Sequence, residues 1–343
     1  MADTPLKNSS KLKRDTSHKR GRPGRLGSSA SPFPDLETLT AGLNSVFQGQ
    51  EPGGQVTVLA RNPNLRSGRR SPSEIVTVHM KDGSRRRLFC KYGGYDWHSY
   101  GLWGVAYEVE VYRQVLATLD TTTAKFYGAY TAAAPDKIWL ILEYLEDYEQ
   151  LKNAPQPGAM IETVRWLGRF HAATEELLSK GAIPFLKIYD VAYYREWAKR
   201  TLEFAASQRR SFPWLPPLCR KWEELAEALL LPPASIIHGD FYGSNILMSS
   251  DVPFVVDWES AAAAVGEIDL AFHTEGWPEE IVKLCEAEYQ KTRWPENPPP
   301  EFSRRLQAGR LYQHFRWLGD HPEWTSTQGF QQLRVLAVGL GVI

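Results

Sequence analysis

The chain has 343 residues, 43% of them apolar and 12% aromatic, and its formal net charge is zero. This composition excludes a wholly disordered chain, because it supplies enough apolar surface for a core in one large domain or in two lobes. The neutral charge excludes a protein that binds nucleic acid over its whole surface. Three cysteines without metal-ligand or redox spacing, Cys90, Cys219 and Cys285, favour a reducing compartment and predict a cytoplasmic protein.

Residues 1–34 are predicted to be a disordered basic tail. The first thirty residues hold eight Lys or Arg against two Asp, and almost no apolar side chains offset the entropy of ordering them. Residues 19–25 resemble the Arg-Gly-Arg-Pro hooks that enter narrow A·T minor grooves, but a single copy is more typical of a solvated tail. No apolar run of signal-peptide or transmembrane length is present. We therefore predict neither a nucleic-acid partner nor a membrane partner.

Residues 35–143 are predicted to form an N-terminal lobe made of an antiparallel sheet with one inserted helix. Apolar residues first recur in short, β-like runs, and an Asp-Gly pair at 82 and 83 lies between two such runs as a hairpin signal. Helical spacing and a continuous apolar strand follow. The predicted elements are strands at 56–60, 74–80, 85–92 and 138–145 and a helix at 106–119.

Residues 144–343 are predicted to form a mainly helical C-terminal lobe. Proline-rich breaks separate several segments with helical spacing. Strands followed by a helical block are typical of an α+β protein, here in two lobes. The predicted helices lie at 160–180, 191–207, 218–231, 279–291, 302–318 and 328–338.

The residues with the clearest chemical meaning lie between Ile236 and Asp257. Asn245 follows Asp240 by five residues, and Asp257 comes directly after a predicted hairpin of 246–248 and 253–256. Phosphoryl transfer from ATP needs a carboxylate that orients the attacking hydroxyl and oxygen ligands that hold Mg²⁺ against the phosphates. We predict that Asp240 is the catalytic residue and that Asn245 and Asp257 hold the metal.

This stretch resembles the aminoglycoside phosphotransferase and choline kinase-like group within the protein kinase-like fold. The group's pattern of His-Gly-Asp, four residues, Asn, and a later Asp-Trp-Glu is matched here. The residues that match are His238, Gly239, Asp240, Asn245, Asp257, Trp258 and Glu259. Gly239 takes the place at which protein kinases usually carry Arg. The resemblance implies a bilobal kinase-like fold whose N-terminal lobe binds ATP with Mg²⁺.

The resemblance extends upstream to a phosphate-binding lysine and its partner. Lys91, within Leu-Phe-Cys-Lys-Tyr-Gly, resembles the lysine of the family's third strand, which contacts the α and β phosphates. Glu108 matches the helix glutamate that pairs with this lysine. Glu110 is a rival that points about 200° further round the helix.

Two further nucleotide contacts follow from the same resemblance. The run at 141–145 resembles the hinge, where backbone groups of Glu143 and Leu145 meet adenine. The phosphate-covering loop departs from the family, since no Gly-x-Gly-x-x-Gly occurs between Val56 and Met80. A turn containing Ser67 and Gly68 is the candidate for donating backbone N–H groups to phosphate.

The acceptor is predicted to be a hydroxyl of a small molecule, such as an aminoglycoside, an amino alcohol or a sugar-like compound. The chain passes from Asp257 to Asp269 in twelve residues and has no Ala-Pro-Glu anchor, whereas a peptide-directed kinase needs a longer segment. Asp269 resembles the family's buried aspartate that braces the catalytic loop, and His171 and His238 are interpreted as structural. The alternative is a catalytically weak or inactive scaffold that keeps the fold and binds nucleotide.

Overall fold

The computed structural model describes residues 31–49, 54–64, 71–94, 101–132, 137–153, 156–181, 183–208, 210–320 and 327–343. Residues 1–30 of the predicted tail lie outside these ranges, and so do Ser67 and Gly68. The predictions made for them stay predictions.

The N-terminal part is a five-stranded antiparallel sheet with strand order β1-β2-β3-β5-β4. The Asp-Gly hairpin joins β2 to β3, with Gly83 at a positive φ of 85° and the Asp82 carboxylate accepting a bond from the backbone N–H of Ser84. One helix is inserted between β3 and β4, as predicted. The elements are α1 (Leu36–Gln48), β1 (Val56–Pro63), β2 (Ser73–Met80), β3 (Arg85–Gly93), α2 (Val105–Gln114), β4 (Phe126–Thr131) and β5 (Ile138–Glu143).

Helix α1, which precedes the sheet, was not expected from the sequence. It begins at an Asp35 cap, whose carboxylate accepts a bond from the N–H of Thr38. Its apolar face, including Leu39, Leu43 and Phe47, is buried against β1 and β4. Helix α1 therefore covers the side of the sheet that faces away from the C-terminal part.

The C-terminal part is mainly helical, and each of the six predicted helices is present within a few residues of its expected bounds. Two short sheets flank the segment that contains His238, Asp240 and Asn245: the hairpin of β8 and β9 with β6, and the pair β7 and β10. The elements are β6 (Glu149–Gln150), α3 (Pro157–Ser179), α4 (Val191–Phe204), α5 (Leu215–Ala226), β7 (Ser235–Ile237), β8 (Ile246–Ser249), β9 (Val252–Val255), β10 (Ala262–Ala264), α6 (Glu267–Thr274), α7 (Glu279–Arg293), α8 (Phe302–Asp320) and α9 (Thr327–Gly339).

Strand β5 separates two apolar clusters. Trp139 and Ile141 belong to a small cluster beneath α1, whereas Leu140 and Leu142 belong to the large cluster that continues through the helical part. Successive side chains of a strand point to opposite faces, so a continuous apolar run serves both clusters. Among the described helices, none is long and apolar enough to cross a membrane.

Gly42 tests how closely α1 packs on the sheet. A Cβ at this position would overlap the ring of Trp139, which is buried and packed against Tyr92 and Tyr130. We expect Gly42→Ala to lower the free energy of unfolding by about 1–2 kcal/mol, because overpacking a fixed ring outweighs the gain in helix propensity. Urea unfolding measures the change.

Gly49→Ala is the matched control. Gly49 lies at the end of the same helix with φ of −73°, and a Cβ there meets only ordinary contacts at 3.5 Å or more. This variant should be as stable as the parent within about 0.5 kcal/mol. Equal stability of both variants would show that α1 does not pack on Trp139 in solution.

Candidate active site

Lys91 is the buried centre of an ion cluster. The alternation of β3 sends Leu88 and Cys90 into the cluster beneath α1, which leaves Lys91 on the opposite face, toward the C-terminal part. Its ammonium lies 2.7 Å from Glu108 Oε2, 2.6 Å from Asp257 Oδ1 and 2.7 Å from Glu259 Oε1. The cluster therefore joins strand β3, helix α2 and the segment that follows β9.

Glu108, rather than its rival Glu110, pairs with Lys91. Glu108 is buried, and its second oxygen accepts a bond of 3.0 Å from the backbone N–H of Trp258. Glu110 lies on another side of α2, where it contacts Arg113 and Gln114. The sequence assigned Glu108 to Lys91 with Glu110 as a rival, and the structure places Glu108 beside the ammonium.

Three carboxylates share one ammonium in this cluster, and the excess negative charge affects their protonation. Burial raises the pKa of Glu108, Lys91 opposes this, and Asp257 and Glu259 add to it, so that the pKa rises to about 7. Removal of water by the surrounding protein acts to raise the pKa of Asp257, although half of its side chain stays exposed, but the Lys91 ammonium outweighs this and holds that pKa below its ordinary value. Glu259 was named in the sequence analysis as a residue of the motif but was given no role. It also accepts a hydrogen bond of 3.1 Å from the Ser71 hydroxyl.

Asp240 and Asn245 are held together by the turn that leads into the β8–β9 hairpin. The Asn245 side-chain amide donates to the Asp240 backbone oxygen at 2.9 Å and to Asp240 Oδ2 at 3.0 Å. Because the amide nitrogen faces Asp240, the amide oxygen is the atom left to face a metal. The Asp240 side chain is 35% exposed, so solvent or a substrate can reach it.

The hairpin brings Asp257 back beside this turn. Ile246 pairs with Val255, and the N–H of Val256 donates to the Asn245 carbonyl at 3.0 Å. Asp257 follows directly, with a positive φ of 71° and a side chain that is 51% exposed. Non-glycine residues at positive φ are uncommon and occur often at functional sites. A carboxylate and an amide oxygen on one hairpin are a donor set that fits Mg²⁺.

The catalytic loop is braced by buried polar groups. The Asp269 carboxylate accepts bonds from the backbone N–H groups of His238 at 2.6 Å and Gly239 at 2.9 Å. The His238 ring donates from Nε2 to the Val256 carbonyl at 3.0 Å and accepts at Nδ1 from the N–H of Asp240. The imidazole of His171 lies 3.3 Å from Asp269, and burial lowers the pKa of His171 to about 4. These contacts agree with structural roles for both histidines and for Asp269.

The predicted hinge residues Glu143 and Leu145 lie at and just after the end of β5. Of their two backbone N–H groups, that of Leu145 is the better placed to bind adenine. The backbone N–H of Glu143 is already used, since it donates to the Lys125 carbonyl at 2.8 Å. Within the described ranges, the N–H of Leu145 has no backbone partner. The carbonyl of Glu143 and the N–H of Leu145 are the groups that fit the predicted adenine contacts.

Arg316, on helix α8, is a site residue that sequence reasoning missed. It is buried, and its Nη2 lies 3.5 Å from Asp240 Oδ1. The spacing of α8 predicted a helix but contained no signal for this contact, because 76 positions separate the two residues.

The chain is similar to known proteins both in sequence family and in fold. The model of the phosphotransferase enzyme family (APH) matches residues 106–319. No curated protein sequence is a significant match. Solved structures similar to the chain include a GDP complex of aminoglycoside 2′-phosphotransferase-IIIa, with 10% identity, a TM-score of 0.57, and coverage of 88% of this chain and 97% of that chain.

Two further solved structures are similar over most of their length. One is the macrolide 2′-phosphotransferase from Brachybacterium faecium, with 15% identity, a TM-score of 0.52, and coverage of 88% of this chain and 97% of that chain. The other is choline kinase from Cryptosporidium parvum Iowa II, with 15% identity, a TM-score of 0.55, and coverage of 90% and 98%. At these identities the likeness shows the fold, which is α+β, bilobal and protein kinase-like.

Replacing Lys91 with Met tests the ion cluster. It leaves three carboxylates facing one another, and we expect the free energy of unfolding to fall by about 3 kcal/mol at pH 8, since breaking a buried ion pair is strongly destabilising. A carboxyl group whose folded-state pKa is raised destabilises the fold fully above that pKa, and the penalty shrinks as the pH falls from the folded-state pKa toward the unfolded-state pKa. The pKa of Glu108 is already about 7, so the loss should shrink at pH 5. Urea unfolding at both pH values measures it.

Lys283→Met is the control, because Lys283 forms an exposed pair with Glu279 at 2.6 Å. Exposed pairs contribute about 0–1 kcal/mol, so this variant should differ little from the parent at either pH. A Lys91→Met variant as stable as the control at pH 8 would contradict the cluster.

Proposed function

The chain belongs to the phosphotransferase enzyme family, and from this premise we propose that it is an ATP- and Mg²⁺-dependent kinase of a small-molecule hydroxyl. Family membership supports phosphotransferase activity on a small molecule. One observation carries the finer proposal: Asn245, whose amide lies 3.0 Å from Asp240 Oδ2, precedes a single hairpin, and Asp257, whose Oδ1 lies 2.6 Å from the Lys91 ammonium, follows it. These contacts support the proposal, because they bring the proposed base, the proposed metal ligands and the proposed phosphate-binding lysine to neighbouring positions.

We propose that the two lobes have different roles in the reaction. The proposed boundary between them lies after Glu143. Residues 35–143 supply Lys91, fixed by Glu108 through a contact of 2.7 Å, to bind the phosphates. Residues 144–343 supply the acceptor side and the metal ligands. Ser67 and Gly68 remain the proposed phosphate-covering turn, and Glu143 and Leu145 the proposed adenine contacts.

Asp240 is the proposed catalytic residue. Its carboxylate accepts a hydrogen bond from the acceptor hydroxyl, whose oxygen forms a bond to the γ-phosphorus while the bond from that phosphorus to the ADP oxygen breaks. The hydroxyl proton passes to Asp240 and then to solvent. Asn245 and Asp257 would hold Mg²⁺, which supplies charge neutralisation at the phosphate oxygens. Positioning and electrostatics provide most of the rate enhancement.

The general class of the acceptor, but not its identity, can be proposed from the substrates for which the structural relatives are named. Those proteins are named for aminoglycosides, macrolides and choline, and we propose an acceptor of the same general kind: an aminoglycoside, an amino alcohol or a sugar-like molecule. We also propose a cytoplasmic location, because three cysteines without metal-ligand or redox spacing favour a reducing compartment.

ADP formation from Mg·ATP, measured over a panel of choline, kanamycin, erythromycin and simple sugars, tests the function. We expect at least one acceptor to stimulate ADP formation. Asp240→Ala should lower turnover by about 10³-fold or more, because the group that orients the hydroxyl is lost, and should change the affinity for Mg·ADP less than about threefold. Equal loss of turnover and of nucleotide binding would contradict the role given to Asp240.

Asp257→Asn should instead weaken Mg·ADP binding and turnover together, since the carboxylate is a proposed metal ligand. Asp251→Asn is the matched control, because Asp251 is an exposed aspartate at the turn of the same hairpin. It should behave as the parent does. Tight binding of Mg·ADP without turnover of any acceptor would favour the non-catalytic scaffold.

A further inference from the structure

A buried arginine approaches the catalytic loop from a helix that lies outside the sequence motif. Arg316 belongs to α8 (Phe302–Asp320), near its C-terminal end. Its side chain is 9% exposed, and its guanidinium lies over the ring of Phe272 at 5.6 Å. A permanent charge in such a place needs partners that offset the cost of removing it from water.

The partners of Arg316 belong to two segments of the site. Nη1 donates to the carbonyl of Gly239, and Nη2 donates to the Ser260 hydroxyl at 3.2 Å and lies 3.5 Å from Asp240 Oδ1. Gly239 and Asp240 form the catalytic loop, whereas Ser260 follows the proposed metal ligand Asp257 by three residues. One planar guanidinium therefore contacts the acceptor side and the metal side at once.

The backbone of the loop itself has no room for a side chain at position 239. Gly239 has a positive φ of 76°, and a Cβ there would overlap the carbonyl of Ser260 and lie 3.0 Å from the Tyr189 hydroxyl. An arginine at this position, as in protein kinases, does not fit this chain. The charge beside Asp240 comes instead from α8, 77 residues later.

The contact completes the support of the Asp240 carboxylate. Oδ2 accepts from Asn245 at 3.0 Å, and Oδ1 faces Arg316. One carboxylate oxygen is thus hydrogen-bonded and the other faces a cation at ion-pair distance, and together the two contacts restrict the orientation of the carboxylate relative to the hairpin. A catalytic carboxylate must be held to within fractions of an ångström, because a misplacement of about 1 Å can cost about 10²-fold in rate.

We propose that Arg316 is a positioning residue that fixes the Asp240 carboxylate and ties the catalytic loop to the segment after Asp257. This rests on the proposed kinase function. Among the described residues, the guanidinium contacts Gly239, Asp240, Ser260 and the Phe272 ring and touches neither Lys91 nor the proposed metal ligands themselves, so its loss should affect turnover more than nucleotide affinity.

Arg316→Lys is the main test, because lysine keeps the charge but loses the planar fork that bridges the two segments. We expect kcat for ADP formation with the best acceptor of the panel to fall by about 10- to 100-fold. The Kd for Mg·ADP should stay within about threefold of the parent's. Arg316→Gln, which keeps a donor without the charge, should lose at least as much activity, and it replaces the lysine variant if that one does not fold.

Arg310→Lys is the matched control, since Arg310 lies on the same helix and pairs with Glu286 away from the site. It should retain the parent's kcat and Kd. An Arg316→Lys enzyme with the parent's kcat would overturn the proposal, and so would a variant in which kcat and Mg·ADP affinity fall together.

Hydrogen–deuterium exchange separates this proposal from the proposed function. In Arg316→Lys, but not in Arg310→Lys, the peptide spanning residues 236–246 should exchange about tenfold faster, because one of its anchors is weakened. A parent protein that binds Mg·ADP without turnover would contradict the kinase function, and faster exchange in Arg316→Lys would still support the anchor. Unchanged exchange in that peptide overturns the role of Arg316 whether or not the parent is active.

Discussion

The interaction on which the site depends is the contact of one buried ammonium with three carboxylates. Lys91 comes from the N-terminal sheet, and Asp257 and Glu259 come from the segment after the β8–β9 hairpin. Burying a charge is costly unless its partners are close and well aligned, so the cluster fixes the two lobes relative to each other at the cleft. The three carboxylates of the cluster carry more negative charge than the single Lys91 ammonium balances. A divalent cation beside Asp257 would offset the excess.

The groups that do the proposed chemistry lie on loops, but the groups that hold them lie on helices. Asp269 on α6 binds two backbone N–H groups of the catalytic loop, and Arg316 on α8 binds a carbonyl and a carboxylate of the same loop. A loop held by buried, hydrogen-bonded side chains from packed helices has little freedom to move. The helical lobe thus serves as the rigid support of the site.

Much of the fold could be predicted from the sequence, because most elements have one apolar face. The β2–β3 hairpin and the six long helices follow from periodicity and from Asp-Gly and proline signals. Helix α6 was missed because all eight of its residues are buried, so no polar face marks its period. Helix α1 was missed although it has a cap and an apolar stripe and is as long as α9, which was predicted.

The sequence by itself determined the catalytic stretch, because Asp240, Asn245 and Asp257 are close along the chain and one short hairpin is enough to bring them together. It also determined the resemblance that singled out Lys91. It also favoured Glu108 over Glu110 as the partner of that lysine. Only the tertiary structure added Glu259 to the ion cluster and brought Arg316 to the loop at Gly239 and Asp240. Those contacts join residues that are distant along the chain, and such contacts depend on how helices pack, which no local spacing encodes.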